Sequence, residues 1–200
     1  MPSGTETNQN NDEELTVFET LSASGASLVD DDVPFYTSDD GVIIFEAESM
    51  KSEGEWEETT VDGETVMLWD NNKSNYGTVD PDEELTAAFT VDKDGTYSLG
   101  THVGRVKAVM QNSELFHGDG SPRGDTGNDA YYAVRNLETG EYVKEPTKLF
   151  TGLGQADQTL KWGDTFENHD LGFHPARVEL EEGVVYQLEI TGRSDGYALD

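Results

Sequence analysis

The chain has 200 residues, 42 of them acidic and 12 basic, for a formal net charge of -30, and no cysteine. That length suffices for one self-supporting core with an appendage. Disulfides are excluded, and the charge sets aside polyanionic nucleic acid and anionic membrane surfaces as partners.

No apolar run approaches the ~18 residues of a membrane span. The opening "MPSGTETNQNNDEELT" has neither the basic start nor the apolar stretch of a secretion signal. The reading is therefore a signal removed beforehand or another route out of the cell, such as inside a virus particle. The acids are spread along the whole chain and lysine is scarce. A solubility adaptation to high salt, where screening removes self-repulsion, explains this better than cation binding by the bulk of the acids. A halophilic source, archaeal or viral, is the expectation.

Residues 1–38 are polar and acidic, with one short apolar patch, "LTVFETL". They read as an arm or linker that orders on a partner, such as other subunits of an assembly. From about residue 39 to 200 the texture becomes that of an all-β domain. "GVIIFEAES" reads as the first strand. In it Glu46 and Glu48 share a face, and two like charges there call for something positive between them. "TVMLWD", "LTAAFTV", "GTYSLGTHVGRV", "DAYYAVRN", "KLFTG", "ARVELE" and "VVYQLEITGRS" follow as further strands. "DKDGTY" and "LETGEY" read as hairpin turns whose glycines take a positive φ. "VELEEGVVYQLEI" is two alternating runs joined at a glycine. Strands of this length and spacing predict an antiparallel β-sandwich in jelly-roll order.

"IIFEAES", "FTVDKDGTYSLGTHVGRV", "NDAYYAV", "KLFTG", "LKWGDTF" and the final "VELEEGVVYQLEITGRSDGYALD" together resemble carbohydrate-binding modules of the family 6 and family 35 type. The resemblance spans about residues 41–200 and none of the arm. It implies a non-catalytic module that recognises a polysaccharide or a glycoprotein glycan, outside the cell or on a cell or virion surface. It also implies a structural calcium held by Glu46, Glu48 and Asp200, which would answer the repulsion within "IIFEAES". Calcium takes six to eight oxygens, so loop carbonyls, Asp92 or Asp94 could complete its shell. The alternative for Glu46 and Glu48 is two solvent-facing acids in a very acidic protein. The family adds one more short apolar strand after its "LD", whereas the sequence here ends at Asp200.

A sugar site needs an aromatic platform and planar polar groups. By resemblance Trp162 and Tyr76 are the platforms, with Asn128 and Arg193 as polar partners. Trp69, after "TVML", fits the core better than a groove. Arg193 has an ion pair as its alternative role, Asp129 a turn cap or a second cation, and Trp162 a place in the core. The four histidines, His102, His117, His169 and His174, show no metal or catalytic spacing. "GDGSPRGDTGND" departs from the EF-hand pattern, and no nucleophile elbow is present. Catalysis is not expected. The alternative function is structural: a decoration, turret or fibre protein of a halophilic virus particle, built on the same jelly roll and anchored by the arm.

Overall fold

The computed structural model describes residues 28–70, 82–106, 129–150, 159–168, 172–193 and 195–200. The strands are β1 (Phe35–Thr37), β2 (Lys51–Ser52), β3 (Trp56–Val61), β4 (Glu64–Trp69) and β5 (Glu84–Thr90). Then come β6 (Gly95–Ser98), β7 (Thr101–Arg105), β8 (Asp129–Asn136), β9 (Tyr142–Phe150) and β10 (Lys161–Gly163). The last are β11 (Thr165–Asn168), β12 (Gly172–Pro175), β13 (Arg177–Leu180), β14 (Tyr186–Gly192) and β15 (Tyr197–Leu199). Among the described residues the one helical turn is Ala47–Ser49.

The strands form an all-β sandwich. One sheet runs β1-β5-β14-β8-β9-β11-β12, with β2 also on β5. The facing sheet runs β10-β7-β15-β4-β3, and β13 pairs with β6 as a separate ribbon. Pairing is antiparallel except for β1, which lies parallel to β5; the larger sheet is therefore mixed. Because β1 belongs to it, the sandwich takes in the end of the stretch expected as an arm.

Period-two alternation builds the core. Leu85, Ala87 and Phe89 of β5, Leu188 and Ile190 of β14, and Tyr132 and Val134 of β8 meet Met67, Trp69, Tyr197 and Leu199 of the other sheet. The Tyr132 and Tyr197 hydroxyls meet across the interior at 2.8 Å. Trp69 is fully buried. Its ring lies so close over Gly192 that a Cβ there would be 2.1 Å from Cδ2.

Two local readings change. "GVIIFEAES" is not a strand: after a bridge between Asp39 and Val42 the chain runs into the 3-10 turn without a strand partner among the described residues. "DKDGTY" is not a hairpin, because β5 stays in the large sheet while β6 crosses to β13, and Gly95 does not take a positive φ. A tight hairpin does form at Asp62-Gly63, φ 55° and 93°, between β3 and β4. "LETGEY" joins β8 to β9 as expected, with Gly140 at φ 74°.

Candidate metal and ligand site

The turn after Phe45 sets the first half of the site. Ala47 is buried and pins the turn to the core, leaving Glu46 and Glu48 outside on either side. The Ser49 amide and hydroxyl both donate to the Glu46 carbonyl, at 3.0 and 2.7 Å. Tyr36 of β1 reaches the Ser49 hydroxyl. The two glutamates thus come together through a 3-10 turn rather than through strand alternation.

The second half comes from the other end of the domain. Asp200 follows β15, and its amide donates to the His102 carbonyl at 2.9 Å. One oxygen each from Glu46, Glu48 and Asp200 lies within 4.8 Å of the others. Glu46 and Glu48 are exposed and Asp200 is half-buried. Among the described residues no lysine or arginine pairs with either glutamate. Three hard anionic oxygens, two of them exposed and with no lysine or arginine partner among the described residues, suit a hard divalent cation of the calcium kind.

His102 extends this arrangement sideways. Its Nδ1 is 2.7 Å from Asp200 Oδ2. β10 sets Trp162 directly across from His102, and the two rings stack with centroids 5.0 Å apart and planes at 18°. Trp162 is 73% exposed, so the far face of the indole meets solvent. The core alternative for Trp162 does not hold. His102 showed no motif in the sequence; its importance comes from strand register, which joins residues far apart in the chain.

Arg193 occupies a different place. It is buried, and its Nη1 donates to Asp129 Oδ1 at 2.6 Å. Lys148 Nζ stands 3.5 Å from the other Asp129 oxygen. Arg193 follows Gly192, which lies under Trp69. Trp69 pairs with Tyr197, and Tyr197 with Arg105, the last residue of β7. Trp162 pairs with the second residue of the same strand. Trp162 therefore lies by one end of β7 and Arg193 by the other. Tyr76 and Asn128 lie outside the described residues. The Asp92 and Asp94 carboxylates are engaged elsewhere, accepting from the Ser38 hydroxyl and from the Glu182 amide.

A second acidic group lies on the large sheet. Buried Glu189 accepts from Arg135 Nε at 2.6 Å and from the Tyr142 hydroxyl at 2.9 Å. Glu84 on the neighbouring strand is pushed up to about 7, first by burial and then by the Glu189 charge. Glu189 is held by its partners, and two carboxylates in so acidic a chain do not by themselves indicate glycosidase chemistry.

No protein-family model matches the chain, and no curated protein matches it. Among solved structures it is similar to a cycloisomaltooligosaccharide glucanotransferase of Paenibacillus sp., complexed with cycloisomaltoheptaose. Identity is 13% and the TM-score 0.42, over 78% of this chain and 17% of that one. It is also similar to a β-glucosidase from Paenibacillus barengoltzii at 14% identity and a TM-score of 0.32, over 84% of this chain and 12% of that one. The chain thus spans only a small part of either enzyme.

Proposed function

We propose that the chain is a non-catalytic carbohydrate-binding module, stapled by calcium, that acts on a glycan outside the cell or on a surface. The observation that supports this reading is the convergence of Glu46, Glu48 and Asp200 from the two ends of the sandwich, with exposed Trp162 joined to them through His102. Calcium would relieve the repulsion of the three acids and fasten the opening segment to the terminal carboxylate. The free indole face would take the C–H face of a pyranose. Arg193, tied to Asp129, would brace the far end of the sandwich instead of touching the sugar.

A glycan array with calcium and with a chelator tests the function. Binding that disappears in Trp162→Ala while the fold persists is the expected result. Failure to bind any glycan, together with assembly into particles or fibres, would replace this reading with a structural role.

A further inference from the structure

A trough of about 730 Å³ runs along one side of the sandwich, from Lys93 to Trp162. Close-packed interiors rarely leave such space. Its floor is apolar, made by side chains such as Phe89, Leu188, Ile190 and Leu199. Its two banks are strand-like, and on that side neither has a strand partner among the described residues. One bank is residues 40–47. The other is the run through β6, whose sole strand partner among the described residues is β13.

The first bank behaves as a strand without a neighbour. From Val42 to Glu46, ahead of the 3-10 turn, the side chains alternate outward and inward, with Val42 60% and Ile44 71% exposed while Ile43 and Phe45 turn in. That is the period of a strand. Yet the main-chain groups of Ile43, Ile44 and Phe45 make no hydrogen bond among the described residues. Every residue of both banks lines the trough. A strand presenting its face would line a trough with alternate residues only, so these banks stand edge-on to it. Open edges of this kind are normally covered.

We propose that the trough receives an added β-strand, and that residues 14–21 of this chain, "ELTVFETL", supply it. The segment is the apolar patch of the N-terminal region, and its threonines, valine and phenylalanine favour a strand. The tether 22–27, "SASGAS", reaches up to ~20 Å when extended. It ends just before the stretch leading into β1, whose Tyr36 packs on Phe45 at 4.9 Å. A tethered strand meets the trough at an effective concentration of order millimolar. Added main-chain hydrogen bonds supply the attraction, and the apolar floor selects the side chains.

Amide hydrogen exchange on the whole chain is the test. The Ile43, Ile44 and Phe45 amides are expected to be protected at least about 100-fold. In Val17→Asp/Phe18→Asp they should return to near the free rate while β8 and β14 stay protected. Free exchange in the unsubstituted chain overturns the proposal. So does protection that survives the double substitution, which would assign the trough to a different strand or to an apolar ligand. Because the chain has no cysteine, a nitroxide on Thr16→Cys gives a second measurement independent of folding defects. Broadening of the Leu99 and Phe45 resonances is expected, and its absence overturns the proposal. The trough reaches Glu46, His102, Trp162 and Asp200, so exchange and broadening are read without calcium or glycan, which separates this result from the proposed function.

Discussion

His102 Nδ1 and Asp200 Oδ2 stand 2.7 Å apart, although 98 positions separate them in the chain. The contact orients the carboxylate that also faces Glu46 and Glu48, and the imbalance among these acids gives a signed prediction. Without metal the three charges repel, by something under ~1 kcal/mol per exposed pair. Glu46→Gln is therefore expected to raise the melting temperature slightly in chelator. The wild type should gain stability with free calcium, by about 2.7 kcal/mol at one hundred times the dissociation constant. Glu46→Gln should lose most of that gain. Thermal melts across a calcium titration check both signs, and a wild-type midpoint unmoved by calcium would remove the metal from the account.

Trp162→Ala separates binding from folding. The indole is largely exposed and its packing partner is the His102 ring. Loss of that stack should cost about 0.5–1.5 kcal/mol. Equilibrium urea unfolding is expected to shift by no more than this, while retention on immobilised glycan is lost. A collapse in stability would show that the ring is a structural element.

The acid triad was legible because two of its members are neighbours in the chain and the third sits in the terminal "LD" that the resemblance singled out. Its local geometry was not, since an acid-alanine-acid string reads equally as a strand or as one 3-10 turn. Ala47 decides by burying itself. The pairing of Trp162 with His102 depends on register between β10 and β7, which no local pattern encodes. "DKDGTY" had the chemistry of a hairpin, but a turn does not determine which sheet the next strand joins. The Asp62-Gly63 turn is the opposite case: the dipeptide is a strong hairpin signal and "TVMLWD" after it reads as a strand, but the polar, glutamate-rich "WEETTV" before it masks the partner strand.

Glu84 makes stability fall as the pH rises. Burial, and then the Glu189 charge, lift its folded-state value from 4.5 to about 7. Below the unfolded value the side chain is protonated in both states and its contribution is fully favourable. As the pH rises through about 7, the folded state must accept a charge that the unfolded chain carries easily, and that advantage is lost. The wild-type melting temperature is thus expected to fall between pH 5 and pH 8 relative to Glu84→Gln. Melts at both pH values check this, and parallel curves for the two proteins would contradict it.

Arg193 gives the most severe prediction. Its guanidinium and Asp129 are both buried, at 2.6 Å, with Lys148 at 3.5 Å on the other carboxylate oxygen. Removing one partner of a buried pair leaves the other charge without compensation, at a cost of about 3–5 kcal/mol. Arg193→Ala should fall toward the lower end of that range, because Lys148 still faces Asp129. Since small domains have only ~5–15 kcal/mol in hand, the variant should unfold at much lower urea. Replacing both members, as Asp129→Asn with Arg193→Met, should recover part of the loss, because neither member then leaves the other as an uncompensated buried charge. If Arg193→Ala instead keeps the wild-type urea midpoint and loses only glycan affinity, the guanidinium contacts the sugar and its bracing role is wrong.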